Sequence, residues 1–345
     1  MATPAKAPAR GTGPKGPGAA RVASSLIAAL ALLALALLAS VKYGSLPTSF
    51  GAVLDVLRGH GDPYLTTVVE SRYPRTLLGL LAGASLAVAG CLMQGVTRNP
   101  LAEPGMLGIT TGASASIVTA SAYFGMSGQM ATLLWALPGA LLAGIVVYVV
   151  GTRGGGSGMV RLVLTGAVLS AVLSAFIQAV TLSNPKVFDS YRYWVVGSLG
   201  GRGFEVFWTV LPLTAVALAV ALLLGGSLNT VALGDDSATA LGAKPARIKA
   251  IGLLAATALG AAATAAVGPI AFVGLAVPHV VRALVGVDFR LQLGFCALLG
   301  PSLLLFADVI GRVVLRPQEL MVGVVTAFVG APALLIAVRR MKGTA

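Results

Sequence analysis

Charge is scarce in this chain. Of its 345 residues only 10% are Asp, Glu, Lys or Arg, against 57% hydrophobic, and mean hydropathy is +0.92. A soluble chain of this size cannot hide that much apolar surface, so the solvent for most of it is lipid. Histidine and cysteine are scarcer still, with two of each. Cys91 and Cys296 both fall in apolar runs and read as small buried side chains, which removes a disulfide framework. No ladder of acids and histidines crosses the apolar runs, as a proton-driven carrier would often show. There is no G-x-x-x-x-G-K-[ST] phosphate loop, so energy for any active transport enters through another subunit. Neither H-E-x-x-H nor a Ser/His/Asp arrangement supports an intramembrane enzyme, and no cofactor or metal set is indicated. Aromatics are 6% and interleave with no basic groove, so the net charge of +13 points to anionic lipid at membrane edges rather than to nucleic acid.

What the chain has is ten apolar runs, near 22–41, 75–97, 106–125, 130–151, 162–182, 205–226, 249–267, 270–285, 294–314 and 320–338. In lipid every backbone N–H and C=O must be satisfied within its own segment, and a helix of about 20 residues does so while crossing ~30 Å. The expected fold is therefore all-α and polytopic, with about ten densely packed transmembrane helices. Gly268-Pro269 is the only break between the seventh and eighth runs. The N-terminal tail carries Lys6, Arg10, Lys15 and Arg21 without an acid, and the C-terminal tail carries Arg339, Arg340 and Lys342. Both tails read as cytoplasmic, which requires an even number of crossings. Residues 1–21, rich in Ala, Pro and Gly, read as a disordered basic tail, 22–340 as the membrane domain and 341–345 as a short second tail. Val22–Val41 is longer than a signal-peptide core and is read as a signal anchor and first helix.

Glycine is abundant, 44 residues, and sits inside the apolar runs. The pairs Gly79/Gly83 and Gly108/Gly112 put small residues on one helix face, where neighbouring backbones can approach closely. A weak internal echo joins Gly90 and Pro100 to Gly268 and Pro278, the spacing an inverted repeat would leave. Asp308 and Arg312 stand one turn apart and can face each other. Asn99-Pro100 and Glu103-Pro104 mark a rigid turn, with Glu103 read as a structural cap ahead of an ATPase contact. His279, alone beside a proline, reads as a packed, hydrogen-bonded residue.

Four segments stand in order: Arg72-Tyr73-Pro74-Arg75, then Gln94 to Gly108 (Gln-Gly-Val-Thr-Arg-Asn-Pro-Leu-Ala-Glu-Pro-Gly-Met-Leu-Gly), then Gly268 to Arg282 with Pro278-His279, then Glu319 to Ala327. This set resembles the FecCD family of ABC importer permeases, which take up ferric siderophores, haem and vitamin B12, and the likeness runs from about residue 22 to 340. The resemblance implies the type II importer permease fold, with two permease subunits, identical or paralogous, side by side about a shared pathway. It also implies two cytoplasmic ATPase subunits, an external substrate-binding protein, and the cytoplasmic membrane of a bacterium as the setting. Arg72, Arg75 and Arg312 match positions where the family receives glutamates of the binding protein, a role suited to the planar guanidinium fork. Gly234, Asp235, Asp236, Ala238, Leu241 and Gly242, within a loop of about 229–248, match the loop whose two short helices couple to the ATPase. Gly158, Met159 and Val160 fall where the family places its cytoplasmic gate, although glycines and apolar residues replace the small polar ones expected there. Met321 stands where the family often has proline. A ferric siderophore is the expected cargo, with haem or cobalamin the alternative within the family and an ion-coupled secondary carrier the alternative outside it.

Overall fold

A computed structural model describes residues 18–45, 49, 51, 55–56, 58–152 and 158–342, side chains at 158–159 and 333–342 excepted. The tail expected at residues 1–21 thus lies outside the described residues up to position 17. Among the described residues the regular structure is helical throughout: α1 (Ala19–Lys42), α2 (Pro63–Glu70), α3 (Arg72–Thr97), a 3-10 turn (Pro104–Leu107), α4 (Ile109–Tyr123), α5 (Gln129–Thr152) and α6 (Gly158–Ser183). There follow α7 (Pro185–Trp194), α8 (Phe204–Ala232), α9 (Asp235–Ala240), α10 (Pro245–Val267), α11 (Val273–Val285), α12 (Phe289–Val314) and α13 (Val322–Lys342).

Each of the ten apolar runs lies on its own helix, and the Gly268-Pro269 break separates α10 from α11. Among the described residues seven helices are long and apolar enough to cross a membrane, while α11 and the described part of α13 are shorter apolar helices. The short polar helices are fixed by their caps: Asp62 accepts from the Tyr64 N–H ahead of α2, and Asn184 from the Val187 N–H ahead of α7. Proline follows each of these caps at a position where a missing N–H costs nothing.

α3 is the hub. It packs against α12, α10 and α11, and nearly its whole length is buried. Glycine makes this possible, because a Cβ at Gly90 would lie 1.9 Å from the Gly274 carbonyl oxygen, and one at Gly83 only 2.6 Å from the Pro301 backbone. The sequence singled out Gly83 and Gly112, and the structure places both at such contacts, Gly112 against Gly139 and Ala143 of α5.

Two helices are short because the chain breaks before them. Ahead of α4, residues 98–108 leave the end of α3 and climb back into the bundle. There Pro104 meets Gly260, fifteen residues and about 22 Å into α10. Ahead of α11, residues 268–272 descend from the other side until Gly274 meets Gly90 and Pro104. Each break is bounded by positive backbone angles: Arg98 (φ 49°) and Gly108 (70°) in the first, Gly268 (80°) and Phe272 (70°) in the second. The echo read from Gly90 and Pro100 to Gly268 and Pro278 does not map onto these breaks, since Gly90 lies inside α3 and Pro278 inside α11, while Pro100 and Gly268 lie in the breaks.

The start of α1 is tied to the end of α11, where Arg21 donates to the Ala283 carbonyl. That end of the bundle, which also holds the ends of α3, α8 and α13, is the basal face below; the opposite end is the distal face.

Candidate functional site

At the distal face the arginine cluster is built from three helices. α1 ends there with its last carbonyls unpaired by the helix, the partial negative end of its dipole. Arg72, at the start of α3, donates to the Val41 and Lys42 carbonyls at 2.8 and 2.9 Å. Arg312 of α12 donates to the Ser40 and Tyr43 carbonyls, to the Ser40 hydroxyl and to Asp308. Arg75 forms a fork on Asp308 at 2.7 Å and reaches Glu319 at 2.8 Å. The one-turn pairing of Asp308 with Arg312 is therefore formed, and both side chains are 1% exposed. Arg312, matched by the resemblance to a docking position, lies inside α12 and is buried, because Asp308 and the end of α1 supply it with partners.

These residues border a distal cavity of 400 Å³ with Gly44, Ser71 and Arg202. Sequence reasoning passed over Arg202, which sits between α7 and α8 in a loop with no motif to mark it. It makes no hydrogen bond or ion pair with the described residues, and burial holds its guanidinium below the usual arginine value. Four arginines against the single acid Glu319 give the cavity wall a positive field.

The basal site is smaller. α9 is a single six-residue helix with Asp235 and Asp236 in its first turn, where carboxylates meet the positive end of the helix. A second short helix was expected in this loop; the chain instead turns at Gly242 and enters α10 at Pro245. Asp235 bonds Lys249 at 2.6 Å and Arg98 at 2.5 Å, fastening α9 to α10 and to the first break. The Lys249 hydrogen bond, followed by the charges of Lys249 and Arg98, holds the Asp235 carboxyl below its ordinary value. That stabilisation is present above the ordinary carboxylate range and is lost as pH falls through the depressed one. The pairs are half exposed, so each contributes at most about 1 kcal/mol. Asp236, Leu241 and Gly242 face outward, whereas Ala238 is fully buried against its own chain, which removes it from any docking surface. Leu233, Leu241 and Val287 are large apolar side chains left exposed here, outside the apolar spans. Val160, from the segment expected to gate, is exposed near the start of α6.

Glu103 was expected to cap its turn. Its side chain makes no cap hydrogen bond and lines an interior cavity, because the first break carries it upward into the bundle. His279 is packed as expected: Nδ1 lies 2.9 Å from the Leu275 carbonyl.

A helical bundle with glycine-packed spans, two broken helices and a charged patch on each face is a membrane transport permease in architecture. Residues 32–340 match the FecCD transport family, and the chain belongs to it. It is 50% identical over 298 residues to the ferric enterobactin transport system permease protein FepD of Escherichia coli (strain K12), covering 86% of this chain and 88% of that one. It is 36% identical over 304 residues to the probable siderophore transport system permease protein YfiZ of Bacillus subtilis (strain 168), covering 88% and 91%. The cobalamin import system permease protein BtuC of Halobacterium salinarum is 35% identical over 78% of this chain and 72% of its own. In structure the chain resembles an inward-facing metal-chelate type ABC transporter, with a TM-score of 0.81 at 26% identity over 92% of this chain and 99% of that one. The fold is that of a type II ABC importer permease.

Proposed function

We propose that this chain is the permease subunit of a bacterial importer for ferric siderophores, pairing with a second permease about a common pathway and driven by separate ATPase subunits. The observation that carries the reading is the 50% identity, over 86% of the chain, to a ferric enterobactin permease. The chain works in the cytoplasmic membrane with its basal face toward the cytoplasm. There the ATPase seats on the surface around Asp235–Gly242, where exposed Leu241 offers it an apolar contact. Gly158–Val160, opening α6 on the same face, narrows the pathway exit. At the distal face an external binding protein presents carboxylates to the arginine-lined cavity. Arg72, Arg75 and Arg312 set its positive field, and among the described residues Arg202 is the cavity's guanidinium without an internal partner.

The test is reconstitution of the permease with its ATPase and binding protein in lipid vesicles, followed by uptake of a panel of chelates. ATP-dependent uptake of a ferric siderophore, without uptake of cobalamin or haem, is the expected result. Uptake of cobalamin alone would transfer the reading to the class of the Halobacterium relative. Uptake driven by an ion gradient without ATPase would overturn it.

A further inference from the structure

Where the two breaks meet there is a cavity of 170 Å³, about halfway through the bundle. Its wall takes Glu103 from the first break, Pro269 and Ile270 from the second, Thr110 from α4 and Thr264 from α10. Three of these carry side-chain oxygens, and none of the three side chains makes a hydrogen bond or ion pair among the described residues. Thr264 is only 5% exposed, so its hydroxyl opens onto the cavity and little else.

Thr264 is buried and Glu103 and Thr110 are half-buried, and a buried hydroxyl is nearly always paired, so one left unpaired beside this space calls for an occupant. A carboxylate at this depth is costly unless a charge or several hydrogen bonds compensate it. Among the described residues no other charged side chain lines the cavity. The donor set is oxygen only, one carboxylate and two hydroxyls, which suits a hard cation. Charge balance sets the valence: one carboxylate neutralises one positive charge, whereas a divalent ion would leave an excess inside the low-dielectric bundle.

The backbone marks the ends of the same two breaks. Arg98 and Phe272 are the non-glycine residues with positive φ among the described residues, and they stand one at each break. Both sit at helix ends, Arg98 closing α3 and Phe272 opening α11. Broken helices at the interface of two chain halves are also where membrane proteins coordinate small cations at mid-depth.

We propose that this cavity binds one monovalent metal cation, Na⁺ or K⁺, through the Glu103 carboxylate and the Thr110 and Thr264 hydroxyls. The ion ties the first break to the second, so its occupancy stiffens the joint between the two halves of the chain. The site stands apart from the question of cargo.

The full chain in vesicle-derived discs of zwitterionic lipid is the sample, unfolded thermally while NaCl or KCl replaces choline chloride at constant ionic strength. A saturable rise in Tm with one alkali cation is expected, together with one equivalent of bound radioactive sodium or rubidium per chain. Glu103→Gln should abolish both signals, and Thr264→Val, which keeps the carboxylate and the side-chain volume, should raise the half-saturating concentration severalfold. If Glu103→Gln does not fold, the wild-type titration and Thr264→Val decide. Equal Tm in choline and alkali salts, no bound cation in the wild type, or an undiminished response in Glu103→Gln would each overturn the proposal and leave the cavity to water.

Discussion

Arg312 and Arg202 are the same residue type at the same face, yet their environments assign them opposite work. Arg312 is buried and closes the end of α1 while holding Asp308. Replacing it with alanine leaves Asp308 to Arg75 alone and strands the Ser40 and Tyr43 carbonyls. Breaking a buried pair of this kind costs about 3 kcal/mol or more, so Arg312→Ala should lower Tm markedly in detergent. Arg202 has nothing of its own to hold, and Arg202→Glu should leave stability within about 0.5 kcal/mol of the parent. Charge steering acts chiefly on encounter. Arg202→Glu should therefore slow association of the binding protein and blunt its salt dependence, as read by surface plasmon resonance at two ionic strengths. An unchanged on-rate would leave Arg202 to lipid headgroups. Reversing Arg72 or Arg75 is a poorer test, since both are tied into the fold.

Among the elements, α9 carries the argument for coupling. Gly242 has open space around it but a φ of +80°, so any larger residue there strains the turn as well as obstructing a partner. Leu241 separates the two effects, being exposed, apolar and at ordinary backbone angles. Leu241→Arg should leave membrane insertion and Tm unchanged while abolishing uptake and the co-purification of the ATPase. Normal uptake by a well-expressed Leu241→Arg would remove α9 from the interface. The elements themselves are legible in the sequence wherever a long apolar run must close its own hydrogen bonds, and so all ten runs reappear as helices. What each site residue does is less legible, because its partners are remote in sequence: Arg75 and Asp308 are 233 positions apart, Arg312 and Ser40 272. The turn signals Asn99-Pro100 and Glu103-Pro104 mark where α3 stops, but proline chemistry says nothing about depth. Small residues supply that information: Gly260 and Gly274 leave room for Pro104 to climb inward, and Gly90 leaves room for Gly274.

For the whole molecule the open quantity is sidedness. The start of α1 and the end of α13 share the basal face, as an even number of crossings demands. Around that face stand Arg21, Arg98, Lys249, Arg282 and Arg290, and the positive-inside bias directs such a face to the cytoplasm. The distal face is basic too, but Arg72, Arg75 and Arg312 there are tied to Asp308, Glu319 and the carbonyls of α1, so these three mark a built site rather than an orientation signal. Cys91 and Cys296 are buried, so engineered thiols can be read against a low background. Cysteines at Lys15, Ser237 and Lys342 should resist an impermeant thiol reagent in intact cells and react once the membrane is opened. A cysteine at Gly203, where no atom lies within 4 Å of the added Cβ, should react from outside without further treatment. Labelling of Lys15→Cys and Ser237→Cys in intact cells would invert the molecule. The ATPase surface would then face outward and the arginine cavity inward, which no importer driven by cytoplasmic ATP could use.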